Sequence, residues 1–235
     1  LSIYLREILN IRQLFKHFLP AQPCFLCGAD NHNGICCAEC AADLPRLTKN
    51  HCPICALPTF TGEVCGHCLR EPPKFDRTVA VFSYGFPLNK LVQGLKFNQR
   101  LELTNYLADE LAKVINERPD AIVAMPLHPT RLRERGFNQS QLLAQRLAHQ
   151  LQTPCLNDVC QRTRHTTPQT LLPWKERNKN VHNAFACATH LGGKRIAIID
   201  DVMTTGASLN ELAKVLKQAG ANRVEAWVVA RTLPH

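Results

Sequence analysis

Apolar residues recur along this chain with two periods, one helical and one of continuous buried strands. In the opening segment Tyr4, Ile8, Ile11, Phe15 and Phe18 fall four and three apart, the stripe of an amphipathic helix. Arg6, Glu7, Arg12 and Lys16 interrupt it, unlike the unbroken apolar core of a signal peptide. The stripe predicts a helix within 1–22 that packs on the rest of the protein. Further on, RTVAVFSY reads as a strand, and PLNKLVQGLKF and LTNYLADELAKVINE as helices. The second of these puts Leu103, Leu107, Leu111 and Val114 on one face. DAIVAMP has the look of a buried strand, FNQSQLLAQRLAHQL of a helix, and a weak strand is expected around Leu156 to Val159. The last segment is clearest: GGKRIAIIDD as strand, VMTTG as turn, ASLNELAKVLKQAG as a helix closing at Gly220, and NRVEAWVVAR as strand. Two apolar strands joined through a helix make a βαβ unit, so the fold class is α/β with a mostly parallel sheet.

Composition sharpens this picture in three ways. With 235 residues and 45% hydrophobic content, the chain has room for one medium domain and a smaller attachment. No stretch approaches 18 consecutive apolar residues, which excludes a membrane-spanning helix; with no export signal, a cytoplasmic protein is expected. A formal charge of +9 favours polyanionic partners, nucleic acid or phosphorylated small molecules.

Twelve cysteines are many for such a chain, but eight form four CxxC pairs. These are Cys24 with Cys27, Cys37 with Cys40, Cys52 with Cys55, and Cys65 with Cys68. Each CxxC turn aims two thiolates at one ion, and two turns complete a tetrahedral sulfur shell. The repeated spacing predicts two successive ribbon-like zinc sites, though an interleaved arrangement stays open. Cys36 competes with Cys37, and His32, His51 and His67 are rival ligands. A disulfide framework would need an oxidising compartment. A four-sulfur shell has no place for a catalytic water, so zinc here is structural. The break at EPPKFD puts the expected boundaries at 1–22 for the helix, 23–71 for the double ribbon and 74–235 for the larger domain.

In open α/β sheets ligands gather beyond the carboxyl ends of the strands. IAIIDDVMTTGAS places Asp200 and Asp201 there, followed by Thr204, Thr205, Gly206, Ala207 and Ser208 turning into a helix. Such a turn offers backbone N–H groups, hydroxyls and the helix's positive end to a phosphate. The two carboxylates suit ribose hydroxyls, or the placing of a Mg²⁺ ion carried on pyrophosphate. Neither a Walker motif nor a GxGxxG fingerprint is present.

This thirteen-residue run resembles the phosphoribosyl pyrophosphate signature of type I phosphoribosyltransferases. The wider chain resembles the ComF/GntX family, associated in bacteria with DNA uptake during natural transformation. The likeness extends from the four CxxC pairs through PPKFD, MPLHPTRLRERGFNQS and RTRHTTPQTLLPWKERNKNVHNAF to the signature. It implies a phosphoribosyltransferase-like domain in which Asp200 and Asp201 meet ribose and residues 204–208 the 5-phosphate. Pro126, Leu127 and His128, with Pro129, correspond to the loop that meets pyrophosphate. Arg131, Arg133 and Arg135 are suited to bidentate grips on phosphoryl oxygens, and Asn138 and Gln139 shape that loop or bind directly.

The segment RTRHTTPQTLLPWKERNK resembles the mobile loop that covers the substrate in such transferases. Arg162, Arg164, Lys175, Arg177 and Lys179 against Glu176 leave it a surplus of four positive charges. Gln169, Arg162 and Arg164 are its expected active members, and its lysines and arginines, with Arg133 and Arg135, would equally suit a nucleic-acid backbone. On the catalytic reading, Asp200, Asp201, Arg133, Arg135 and Arg164 carry the chemistry. The resemblance thus points to a DNA-uptake protein with a phosphoribosyl pyrophosphate and Mg²⁺ site, binding single-stranded DNA, with a competence-machinery protein as a further expected partner. The alternative is a metabolic phosphoribosyltransferase, for which no residue set marks an acceptor pocket.

Overall fold

The computed structural model describes residues 22–32, 34–97, 100–164 and 181–234. Its contacts divide the chain into two compact units, Leu1–Leu44 and Pro45–His235. The expected N-terminal helix lies outside the described residues. In the smaller unit, β1 (Gln22–Pro23) and β2 (Asp30–Asn31) pair antiparallel, and α1 (Ala38–Ala42) follows.

The larger unit opens with a second cysteine lobe ending in α2 (Gly66–Arg70). Its main sheet holds β3 (Arg77–Ser83), β4 (Ala121–Ala124), β7 (Arg195–Met203) and β8 (Arg223–Arg231), in the order β3-β8-β7-β4 and parallel throughout. Between β3 and β4 run α3 (Leu88–Phe97) and α4 (Glu102–Ala112); after β4 come α5 (Pro129–Arg135) and α6 (Gln139–Leu151). A separate antiparallel ribbon pairs β5 (Cys160–Arg162) with β6 (Phe185–Cys187), and α7 (Ala207–Gln218) joins β7 to β8. This is the α/β, mostly parallel arrangement expected from the apolar pattern, and the phosphoribosyltransferase-like fold that the family resemblance implies.

Both faces of the sheet are covered, which is why its strands read as continuous apolar runs. On one face Ala121, Val123, Ile196, Ile198, Val224, Ala226 and Val228 share a core with Leu209, Leu212, Ala213 and Leu216 of α7. The period-2 alternation turns Ile122, Ala197, Ile199 and Trp227 the other way, and helices α4 and α6 pack on the sheet and on each other. Leu103, Leu107 and Leu111 are fully buried, as their stripe predicts. The free edge of β3 is closed by residues 45–47, through Leu47 N–H to Val81 O at 2.8 Å and Ser83 N–H to Pro45 O at 2.8 Å.

Two local readings differ from expectation. The weak strand around Leu156 to Val159 does not form. Cys155 makes only an isolated parallel bridge to Ile122, Asp158 turns the chain at φ 59°, and the ladder begins at Cys160. Val202 and Met203, read as turn, extend β7 beyond the carboxylates. The proline-rich break is also firmly anchored. Phe75 is buried, Lys74 N–H donates to Asn210 Oδ1 at 2.6 Å, and Asp76 accepts from Lys217 at 2.6 Å and from Val224 N–H at 2.8 Å. The break in composition at Pro72–Pro73 and the break in contacts at 44/45 therefore do not coincide.

Candidate functional site

The cysteines gather as two separate quartets, Cys24/Cys27/Cys37/Cys40 and Cys52/Cys55/Cys65/Cys68, with the four sulfurs of each within 4.8 Å of one another. The arrangement is sequential, without Cys36 or any histidine. All twelve cysteines are free thiols, so no disulfide framework is present. Cys27 and Cys37 sulfurs lie 3.8 Å apart, and Cys55 and Cys65 sulfurs 3.6 Å. The edge of a zinc–thiolate tetrahedron is about 3.8 Å, so both quartets fit structural zinc.

The backbone prepares each quartet in the same way, at an offset of 28 positions. Cys37 N–H donates to Cys24 Sγ and Cys65 N–H to Cys52 Sγ, both at 3.3 Å. Gly28 N–H reaches Cys24 O and Ala56 N–H reaches Cys52 O, both at 2.8 Å. Cys37 and Cys65 each open a five-residue helix, α1 and α2. Burial alone would raise the Cys24 and Cys52 thiols. Backbone N–H groups of Cys37, Cys27 and Leu26 instead draw Cys24 down to about 6, and those of Cys65, Cys55 and Ile54 draw Cys52 down to about 7. These two sulfurs are thus prepared as thiolates, the ligand form.

At the carboxyl end of β7 stand Asp200 and Asp201. Asp200 accepts from the Ser140 hydroxyl and from Asp201 N–H, both at 2.9 Å. Burial and the neighbouring Asp201 push its carboxyl up to about 7, against the pull of Lys96 and these hydrogen bonds. Asp201, 3% exposed, forms an ion pair with Lys96 Nζ at 2.9 Å. Burial would lower the Lys96 pKa, but attraction to Asp201 and Asp200 raises it.

Arginines surround the pair. Burial lowers the pKa of Arg135; Asp201 and Asp200 oppose this, and Arg131 adds to it. Burial and Arg131 likewise lower that of Arg162, against Asp200. Lys96, Arg135 and Arg162 thus outnumber the two carboxylates they face, and Arg131 adds its charge beside the two arginines. This surplus makes the end of the sheet receptive to an anion.

Beyond Met203 the chain turns at Gly206, whose φ of 82° favours glycine, and enters α7. A Cβ at Gly206 would stand 2.7 Å from Met203 Cε, so the methionine tip would have to shift to admit one. Ala207 N–H bonds to Thr205 Oγ1 at 3.2 Å, and Thr204 O accepts from Arg231.

The remaining expected site residues divide. Pro126, Leu127, Asn138 and Arg162 line a cavity of about 320 Å³ with Leu156 and Asp158. His128 caps α5, its Nδ1 accepting Thr130 N–H at 3.3 Å. Asn138 caps α6 through Ser140 and Gln141 N–H, at 3.0 and 3.4 Å, while its amide donates to Met125 O at 3.0 Å. Gln139 is buried and accepts from Arg135 at 2.5 Å. Arg135 also lies 5.6 Å over the exposed ring of Phe97. Arg133 is exposed, and Arg164 donates to His182 O at 2.6 Å. Gln169, Lys175, Arg177 and Lys179 lie outside the described residues.

Sequence reasoning passed over Lys96, Ser140 and Arg231. Each is a polar residue on an apolar face: Lys96 follows buried Val92 by four, Ser140 precedes Leu143 and Ala144, and Arg231 ends a buried strand. That misplacement was the available signal.

Residues 14–69 match the family described as Double zinc ribbon domain. The chain is 39% identical over 222 residues to DNA utilization protein YhgH of Escherichia coli K12, covering 89% of this chain and 97% of that one. It is 33% identical over 223 residues to Competence protein F of Haemophilus influenzae, covering 88% and 96%. With Competence protein ComFC of Bacillus subtilis the identity is 28% over 209 residues, covering 83% and 84%. Among solved structures, a purine phosphoribosyltransferase from Pyrococcus horikoshii aligns over 57% of this chain and 83% of its own, at 20% identity and a TM-score of 0.32, too loosely to build on. Among the described residues no helix is long and apolar enough to cross a membrane. Full-length likeness to the YhgH and competence proteins, with the two cysteine quartets, makes this chain a member of the ComF competence and DNA-uptake family.

Proposed function

We propose that the larger unit binds phosphoribosyl pyrophosphate with Mg²⁺ and that the protein engages single-stranded DNA in DNA uptake. The carrying observation is the Asp200–Asp201 pair, desolvated near the end of β7, flanked by Lys96, Arg135 and Arg162, and followed by the glycine turn into α7. Carboxylates alone would repel a sugar phosphate, whereas carboxylates beside a cationic surplus and a helix N-terminus suit one with both hydroxyls and phosphoryl groups.

The donor set bears on how Mg²⁺ would be held. Asp201 already holds Lys96, and Asp200 accepts two hydrogen bonds. A metal carried in on the pyrophosphate suits this site better than one held by the protein's carboxylates alone. When bound there, Mg²⁺ supplies positive charge against the pyrophosphate oxygens. The chain's residues do the rest. Asp200 and Asp201 orient ribose hydroxyls, the turn at 204–208 anchors the 5-phosphate, and Arg131, Arg135 and Arg162 face the pyrophosphate. Arg133 and Arg164, both exposed, extend the positive surface outward toward a nucleic-acid backbone.

Calorimetric titration of the zinc-loaded protein with phosphoribosyl pyrophosphate and Mg²⁺, repeated on D200N/D201N, tests the first half. Saturable binding that the folded variant lacks is expected; no binding by folded wild type would refute it. For the second half, binding to a single-stranded oligonucleotide should fall with added salt and weaken uniformly in R133Q/R164Q, with a shallower salt slope. Pyrophosphate release on adding one nitrogenous acceptor, independent of DNA, would favour the metabolic transferase instead.

A further inference from the structure

Arg231, at the end of β8, is 2% exposed, and among the described residues no carboxylate forms an ion pair with it. A buried guanidinium left like this is costly unless both its N–H groups and its charge are met. Those on Nε and Nη1 are met by backbone carbonyls. Nε donates to Cys55 O at 2.8 Å, and Nη1 donates to Met203 O at 3.1 Å, Thr232 O at 2.8 Å and Thr204 O. One side chain thus holds the knuckle of the second cysteine quartet at one end and the start of the 204–208 turn at the other.

Carbonyl dipoles supply no net charge, but one of these carbonyls belongs to Cys55 of the second quartet. Four thiolates around one zinc ion retain a charge of about −2. The mount is rigid. Pro53 O accepts Thr78 N–H at 3.0 Å and Ile54 O accepts the Thr78 hydroxyl at 2.6 Å, so three consecutive knuckle carbonyls are fastened to β3 and β8. On the far side of the turn, Phe75 lies 3.7 Å from where a Gly206 Cβ would be.

We propose that Arg231 is a positioning residue through which zinc in the second quartet sets the backbone of the 204–208 turn. Metal loss frees the Cys52–Cys55 knuckle, and with it the Cys55 carbonyl that holds Arg231 Nε. As Arg231 shifts, Thr204 O loses its guanidinium donor and Met203 O keeps only Thr232 N–H at 2.9 Å, so the turn loosens. The coupling is reciprocal, so loosening Arg231 also weakens hold on that zinc. The consequence for ligand binding rests on the phosphate-site reading above; the coupling itself does not.

The test is read without ligand. Backbone amide exchange in 204–208 is followed by mass spectrometry in the full zinc-loaded chain, in R231M and R231K, and in wild type stripped by a chelator. Zinc release to the chelator is timed in parallel. Exchange in the turn is expected to rise about tenfold in R231M and in stripped protein, with β4 and α6 unchanged. R231K keeps the charge but cannot span both carbonyl groups, so it should loosen the turn while releasing zinc more slowly than R231M. C24S/C27S, lacking the first site, should keep wild-type exchange in the turn. An unchanged turn in stripped wild type overturns the proposal even if neither variant folds. A uniform rise across β4 and α6 also overturns it, marking Arg231 as a general core residue. Because no sugar phosphate is added, failure of the binding titration would leave this outcome standing.

Discussion

Asp200 carries a pH dependence of its own. A free aspartate titrates near ~4, while burial and Asp201 raise the folded carboxyl to about 7. Between those values the unfolded chain has released a proton that the folded chain keeps, so stability falls as pH rises through that window and levels off above it. D200N keeps an acceptor for Ser140 and Asp201 N–H but cannot ionise. Its melting temperature is expected to exceed that of wild type by several degrees at pH 8, with a smaller gap at pH 5. Thermal scans at the two pH values measure this, and a gap that does not widen with pH would contradict it. A residue that weakens the fold in the state most suited to binding hydroxyls is what stability–function trade-off predicts of a site.

At the scale of elements, α6 shows how one expected site residue serves the fold. Asn138 is expected to shape the loop or bind directly, and its side-chain oxygen caps the helix while its amide ties the helix start to Met125. N138A should therefore cost about 1–2 kcal/mol, read as a shift in urea midpoint with unchanged slope; an unchanged midpoint would show that the cap contributes nothing. The helices α4, α6 and α7 and the β7–α7–β8 unit were legible because each buries a regular stripe. Around Leu156 the apolar residues are few, and the turn at Asp158 outweighs them. The run from Asp200 to Ser208 could be read as a site because its parts are contiguous. Lys96 and Ser140 reach the same carboxylates from other elements, and no local pattern records a contact made across 105 or 60 positions.

For the whole molecule, the two quartets belong to different units, so their loss should have different consequences. Wild type is expected to bind two zinc ions per chain, and C24S/C27S and C52S/C55S one each, by atomic emission. Only the second variant should lower the melting temperature of the sheet-bearing unit, by ~5 °C or more, because Cys52, Cys55 and Cys68 lie in a buried cluster and their knuckle is bonded to β3 and β8. Equal losses from both variants would contradict this. Such a division was not visible in the cysteine spacing, which is the same in both halves; it depends on what the carbonyls at 53–55 touch.

The 28-residue offset between the quartets has the form of a segment copied once and then put to separate uses. At the corner after the first CxxC, one copy has Gly28 at φ 78° and the other Ala56 at φ 56°, a conformation an alanine adopts at a cost of about 1 kcal/mol. The copy with the less suitable residue is the one embedded in the larger unit. Once a duplicate is held by its neighbours, its own sequence can drift from the ancestral optimum. Descendants of such a chain would be expected to shed or reshape the first copy more readily than the second.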